Sequence, residues 1–209
     1  MMVLLSGTKR VVLLAAFLAV SLPASVRAAA VSVLIQSAQG KGQADAVVTL
    51  IPVGHAAAPA SIGKATIEQI NKEFSPRVTV IATGSKVWLP NRDNIRHHVY
   101  SFSPAKKFDI KLYAGDPPAP VVFDKPGLVV LGCNIHDWMI AYVVVTDAPY
   151  YGKSDSGGNL VLANVASGEY EMHVWHPEQS GPEQVQKVRV GPDAASVQLR
   201  LDLKPSTAH

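Results

Sequence analysis

The run Gly132-Cys133-Asn134-Ile135-His136-Asp137-Trp138-Met139 stands between two apolar segments of the chain. It places Cys133, His136 and Met139 at the spacing C-x-x-H-x-x-M. Because a short loop between two strands can turn all three side chains toward one point, these residues are candidate ligands of one metal ion. Upstream, His97 opens a predicted strand that can pack beside this loop.

These four side chains offer one thiolate, two imidazoles and one thioether, the ligand set of a type 1 blue copper centre. Zinc prefers four strong ligands, and its structural sites rarely use Met. Taken singly, Cys133 is equally consistent with a small core residue, Met139 with core filler and His136 with a surface residue. Their combination at this spacing favours one mononuclear copper ion.

The first 28 residues have the features of a secretion signal. Lys9 and Arg10 precede an apolar run at residues 11–22, and Val26-Arg27-Ala28 has the form of a cleavage site. We expect cleavage near Ala28, with Ala30 as the variant. A transmembrane anchor is the competing interpretation, but the run is shorter than the roughly 20 apolar residues that a span requires. The sequence therefore predicts a periplasmic protein with no stable membrane insertion.

Cysteine and charge narrow the class of protein. An exported chain with 1 Cys forms no internal disulfide, so Cys133 is either buried or occupied by a metal. The chain has 19 Lys and Arg against 16 Asp and Glu, and its leader carries three of the basic residues and no acid. Since removal of the leader balances the charges, we expect no binding to nucleic acid.

The remainder of the chain predicts an all-β fold. Short Val-rich segments alternate with Gly, Pro and Asn turns, and no long segment has a period of 3.6 residues. The stretch 103–120 is less regular, and we expect a loop or a short helix there.

Residues 62–146 resemble the cupredoxins, and the ligand loop resembles that of the amicyanins. The resemblance lies in the run of motifs Phe74-Ser75-Pro76, Gly84, Val87-Trp88, Asn91-Arg92-Asp93 and His97-His98-Val99, together with the ligand loop. The same block is similar to chains called methylamine utilization proteins. The resemblance to the cupredoxins implies a Greek-key β-sandwich with copper bound by His97, Cys133, His136 and Met139.

The resemblance also implies roles for the residues beside the ligands. His98 takes the position of an asparagine whose backbone N–H donates to the Cys sulfur. Asn91 resembles the asparagine that ties the two ligand loops together, but Asn134 stands where the family has Ser or Thr. Asp137 and Trp138 lie beside His136 in a loop without the prolines of the amicyanins, and we expect the Asp137 carboxylate to favour Cu(II).

The flanking segments resemble a different family. Residues 29–58 and 147–204 carry patterns of the transthyretin-like, carboxypeptidase regulatory-like sandwiches, and residues 205–209 read as a tail. We expect the cupredoxin to be inserted into such a sandwich or joined to it. The alternative is that residues 31–53 add strands to the copper domain. His173 and His176 face opposite sides of one predicted strand, which favours structural roles over a second metal site.

The predicted function is that of an electron carrier cycling between Cu(II) and Cu(I). We expect a periplasmic redox protein, either a c-type cytochrome or a dehydrogenase, to dock transiently near His136. Because Met139 closes the site and no catalytic motif stands out, we expect no enzymatic activity. The alternatives are copper delivery or storage, and a binding or scaffold module whose copper is ancillary.

Overall fold

The computed structural model describes residues 28–204, and within that range the chain is all-β, with no helix. The predicted fold class is confirmed at this level. The expected leader, apart from Ala28, and the tail at residues 205–209 lie outside the described residues. Residues 28–204 hold no helix of the length and apolarity needed to cross a membrane.

Residues 28–204 form seventeen strands. In chain order they are β1 (Ala28–Ser37), β2 (Val47–Val53), β3 (Lys64–Thr66), β4 (Glu68–Ile70), β5 (Glu73–Ser75), β6 (Val78–Ala82), β7 (Ser85–Trp88), β8 (His97–Ser101), β9 (Phe108–Tyr113), β10 (Val121–Phe123), β11 (Gly127–Cys133), β12 (Ile140–Thr146), β13 (Tyr150–Lys153), β14 (Asn159–Ala166), β15 (Gly168–Trp175), β16 (Gln184–Val190) and β17 (Ala195–Leu201).

One set of sheets encloses the core that carries the candidate site. A five-stranded sheet has the order β6-β12-β11-β8-β9, and a three-stranded sheet has the order β10-β7-β3. Both sheets, with the β4–β5 hairpin, contribute to a core that includes Val99, Phe123, Leu131, Cys133 and Met139, which we call the site core. Alternate residues of each strand face this core because successive side chains point to opposite faces of a sheet.

A second pair of sheets forms a separate core. The sheets β14-β1-β17 and β13-β2-β15-β16 both supply its buried residues, among them Ile35, Leu50, Tyr170 and Met172. Two sheets sharing one apolar core form a β-sandwich. We call this unit the flanking sandwich.

Strand pairing links the two ends of the described chain. β1 pairs antiparallel with β14 and parallel with β17, and β2 pairs with β13 and β15. The strands before residue 64 therefore lie in sheets with strands after residue 146, and the strands of the site core lie between them in sequence. This is the arrangement expected for an insertion; the insertion, the domain boundaries and the transthyretin-like resemblance stay predictions.

Aromatic and charged contacts join the two units. The rings of Tyr142 in β12 and Trp175 in β15 lie 5.4 Å apart. The Arg77 guanidinium lies 5.8 Å from the centre of the Tyr142 ring and 2.9 Å from the Glu178 carboxylate. Lys153 donates to the carbonyl of Val78 at 3.0 Å. These contacts set the flanking sandwich against the outer edge of the five-stranded sheet.

One segment differs from the sequence prediction. The expectation of a loop or short helix is wrong for Phe108–Tyr113, which is a strand paired with β8. Phe108, Ile110 and Tyr113 pack against the site core from this strand. Residues 64–75 form the three short strands β3, β4 and β5, and the last two are joined by a hairpin turn at Asn71 and Lys72, with φ of 56° and 60°.

Candidate metal centre

Cys133 is the last residue of β11, and its thiol faces the site core. Val129, Leu131 and Cys133 alternate inward along the strand, and the Cys133 residue is 3 % exposed. β11 is held between β12 and β8, where Cys133 is paired with Val99. The sulfur is therefore positioned by a strand in the middle of a sheet.

His97 opens β8 and points its ring at this sulfur. The side chain is completely buried, and Nδ1 lies 3.6 Å from Cys133 Sγ. The neighbouring His98 lies on the other face of the strand, where Nε2 contacts the Asp109 carboxylate. Strand alternation thus brings His97 to the sulfur and turns His98 away.

His136 reaches the same point from the loop after Cys133. Its Nδ1 lies 4.0 Å from Sγ, and its ring centre lies 5.1 Å from that of His97. The side chain is partly buried. Desolvation lowers the pKa of the His136 imidazole below its usual value, and the nearby His97 and Lys72 lower it further. A low pKa favours the neutral ring, the form that binds a metal.

Met139 completes the loop. Its backbone N–H donates to the His136 carbonyl at 3.0 Å, closing a turn that brings the two residues together. The Met139 residue is 1 % exposed and belongs to the site core with Cys133. Both residues also line an open cavity of about 420 Å³, together with Asp137. The structure therefore buries Met139 beside the cluster.

The ligand atoms of His97, Cys133 and His136 all lie within 4.8 Å of one another, the one such group among residues 28–204. A metal bound at about 2.3 Å from sulfur and about 2.0–2.1 Å from nitrogen, with angles of about 110–120°, separates those atoms by roughly 3.5–3.8 Å. The distance from Cys133 Sγ to His97 Nδ1, 3.6 Å, falls in that interval. The distance from Sγ to His136 Nδ1, 4.0 Å, would have to shorten slightly. One thiolate, two imidazoles and a buried thioether fit copper.

Asp93 is a residue of the site that the sequence analysis missed. Its Oδ2 accepts a hydrogen bond from His97 Nε2 at 2.8 Å, on the side of the ring opposite Cys133. Burial opposes ionisation, but hydrogen bonds from His97 and from the backbone N–H groups of Lys72 and Asn71 outweigh it and hold the pKa of the Asp93 carboxyl below its usual value. Its position four residues before His97 was the available signal.

Asn91 stabilises the segment that leads into His97. Its Nδ2 donates to the carbonyls of Ile95 at 2.8 Å and Tyr113 at 2.9 Å, and its Oδ1 accepts from the Asp93 N–H at 2.9 Å. Asn134 is exposed, and its backbone N–H donates to the His98 carbonyl at 3.2 Å. Backbone contacts of Asn134 thus connect the two ligand strands, while Asn91 anchors the His97 segment to β9.

Trp138 and Asp137 lie on the surface of the ligand loop. The Trp138 residue is 57 % exposed, and its ring centre lies 5.0 Å from that of His136. Its Nε1 donates to the Lys72 carbonyl at 3.2 Å. Asp137 is exposed. The loop therefore presents an aromatic ring and a carboxylate to solvent next to His136.

His173 and His176 have separate partners outside this cluster. His173 Nδ1 lies 2.8 Å from Glu183 Oε1. His176 Nε2 donates to the Ala44 carbonyl at 3.0 Å, and its Nδ1 accepts from the Glu178 N–H at 3.1 Å. Both contacts are consistent with structural roles.

Comparison with known proteins gives similarity to solved structures alone, since neither a protein-family model nor a curated protein matches the chain. A copper-containing nitrite reductase from Thermus scotoductus is 23 % identical with a TM-score of 0.38, covering 46 % of this chain and 25 % of that one. A purple cupredoxin from Nitrosopumilus maritimus is 22 % identical with a TM-score of 0.35, covering 39 % and 99 %. A reduced Cu(I) amicyanin variant is 17 % identical with a TM-score of 0.36, covering 47 % and 98 %. This chain thus spans about a quarter of the nitrite reductase, and each match covers less than half of this chain.

Proposed function

We propose that this chain is a periplasmic type 1 copper protein that carries single electrons between redox partners. The observation that carries the proposal is the convergence of Cys133 Sγ with Nδ1 of His97 and His136, with Met139 buried beside them. Two imidazoles and a thiolate with a weak thioether are the ligands of blue-copper electron-transfer sites. When bound, copper would supply a Cu(II)/Cu(I) couple at this point.

The protein's own residues are arranged to keep such a site rigid. Cys133 and His97 stand on paired strands of one sheet, and both residues are buried. Asp93 accepts a hydrogen bond from the far nitrogen of His97, and this bond opposes rotation of the ring away from the sulfur. Rigid ligands limit the rearrangement between oxidation states, which favours fast electron transfer.

The cupredoxin assignment of this part of the chain belongs to the same proposal. Its support is the sheet order β6-β12-β11-β8-β9, which carries His97 and Cys133 on adjacent strands, together with the motifs around both ligand segments. The flanking sandwich would be the transthyretin-like part, and the apolar run at residues 11–22 would direct export to the periplasm.

Electrons would enter and leave through the ligand loop. His136 is partly buried, whereas Cys133 and Met139 are almost completely enclosed, so His136 is the ligand nearest to solvent. Exposed Trp138 and Ile135 flank it with apolar surface. Such a surface suits transient docking of a c-type cytochrome or a dehydrogenase, since weak electron-transfer encounters use small interfaces.

The same ligands would serve copper delivery, and one experiment separates the two functions. The copper-loaded protein is titrated with a one-electron reductant and reoxidised, and in parallel is mixed with an excess of a Cu(I) chelator. An electron carrier gives one reversible electron per copper and retains its metal through many cycles. Rapid loss of copper to the chelator would favour delivery or storage, and irreversible reduction would contradict the electron-carrier proposal. We also propose that the protein is not an enzyme, since Met139 beside the other three candidate ligands would leave no strong position open for a substrate.

A further inference from the structure

The hairpin turn between β4 and β5 contacts both segments that carry the candidate ligands. Its two central residues, Asn71 and Lys72, have φ of 56° and 60°. Their backbone N–H groups donate to the Asp93 carboxylate, Asn71 to Oδ1 at 2.7 Å and Lys72 to Oδ2 at 2.9 Å. Successive N–H groups in such a turn form a concave binding site for an anion.

The Asp93 carboxylate that accepts from the turn also accepts from His97. The Asp93 side chain is 13 % exposed, and its Oδ2 also accepts from His97 Nε2 at 2.8 Å. The carboxylate therefore takes three donors, two from the turn and one from the ring. Because both oxygens of the carboxylate are fixed by backbone groups, the His97 ring is held by a rigid partner.

The carbonyl of the same turn holds the other ligand segment. Lys72 O accepts from Trp138 Nε1 at 3.2 Å. Trp138 stands between His136 and Met139 in sequence, and its ring lies against that of His136. One dipeptide thus contacts the His97 side through its N–H groups and the His136 side through its C=O.

We propose that the turn Asn71–Lys72 is a brace that couples the two ligand segments, with Asp93 and Trp138 as the positioning residues on either side. The structural coupling does not depend on copper, whereas its effect on the reduction potential rests on the proposed copper function. The Asp93 carboxylate strengthens His97 as a donor, and a stronger donor favours Cu(II) over Cu(I). The brace therefore keeps the reduction potential low and the site geometry fixed.

The first test needs no metal. The amide hydrogen exchange of Asn71 and Lys72 and the indole N–H exchange of Trp138 are measured by NMR in the apo protein and in Asp93→Asn and Asp93→Ala. Asp93 has no direct hydrogen bond to Trp138, so a brace predicts that indole exchange accelerates in both variants. Asp116→Asn is the matched control, because Asp116 is an exposed carboxylate that pairs with Arg92. Unchanged indole exchange in the Asp93 variants would overturn the coupling.

The second test measures the reduction potential of the copper-loaded protein. Loss of a group that holds a ligand His costs about 10–100-fold in metal affinity. If mainly the affinity for Cu(II) is lost, each tenfold loss of that affinity raises the reduction potential of the one-electron couple by about 59 mV. We expect Asp93→Asn to raise the potential by at least that step, and Asp116→Asn to leave it unchanged. Trp138→Phe, which retains a ring but removes the N–H donor, should speed copper release.

The outcomes separate this inference from the proposed function. A wild-type protein that gives no type 1 copper spectrum, but whose indole exchange responds to Asp93→Asn, keeps the brace and refutes the copper function. A blue wild-type protein in which Asp93→Asn changes neither potential nor indole exchange refutes the brace.

Discussion

Replacement of Met139 separates its packing role from its proposed role as a ligand. Met139 is 1 % exposed in the site core. Truncation of a buried Met to Ala costs about 2–5 kcal/mol, whereas Met139→Leu, which nearly conserves volume, costs under about 1.5 kcal/mol. Since Met139 is almost fully enclosed, we expect about 3 kcal/mol for Met139→Ala. Total stability is of the order of 5–15 kcal/mol, so this loss is large enough to measure.

The assay combines thermal denaturation of the apo variants with redox titration of the copper-loaded ones. A loss of about 3 kcal/mol lowers the thermal midpoint of a chain of this size by roughly 6–12 °C. Met139→Leu should stay close to wild type in the apo state. With copper, it should retain a blue band because three strong ligands remain, and its reduction potential should rise because Cu(II) loses a donor that Cu(I) needs less.

Two results would refute this reasoning. An unchanged potential in Met139→Leu would mean that the thioether does not reach the metal, leaving Met139 a core residue. A Met139→Ala variant as stable as wild type would mean that the loop does not pack as described, and the position of the site in the core would be wrong.

Three further predictions concern other parts of the molecule. Trp175→Ala should lower the free energy of unfolding of the apo protein by about 1–3 kcal/mol, because the aromatic pair with Tyr142 and its buried area are lost. Urea denaturation measures this change, and an unchanged midpoint would mean that the two units do not stabilise each other. Desolvation lowers the pKa of the His176 imidazole below 6.5, and its ring accepts from one N–H while donating to a carbonyl. The unfolded chain then binds more protons, so the stability that the neutral ring contributes is present above pH 6.5 and is lost as the pH falls below it; His176→Gln should flatten this slope, and an equally steep slope would contradict the assignment. Asp137→Asn should raise the reduction potential slightly, because a carboxylate beside His136 favours Cu(II); an identical potential at every pH would exclude this role.

The ligand loop was predictable because its information is local. Cys133, His136 and Met139 stand within seven residues between two apolar strands, and no long-range knowledge is needed to group them. His97 required the motif around it, since alternation alone leaves His97 and His98 equivalent until the burial of the strand is known. In the structure His97 faces inward, with Nδ1 3.6 Å from Cys133 Sγ, and His98 faces the other side of the strand.

The contacts that hold the ligands were not predictable from the sequence. The turn at Asn71 and Lys72 meets Asp93 and Trp138 only after the β4–β5 hairpin has packed beside both ligand segments. Asn71 favours a left-handed backbone, but Lys72 has no such preference, so the sequence marks the turn only weakly. Similarly, β9 is a strand because Phe108 and Ile110 find the site core beside β8, while its Gly- and Pro-rich surroundings favour a loop.

The most direct test of the central claim is the visible and electron paramagnetic resonance spectrum of the protein after addition of one equivalent of Cu(II), with Cys133→Ser as the control. We expect an intense thiolate-to-copper band and narrow hyperfine splitting in the wild-type protein, both absent in the variant. A pale solution with an ordinary tetragonal Cu(II) signal, unchanged by Cys133→Ser, would contradict the claim that Cys133, His97 and His136 bind one copper ion.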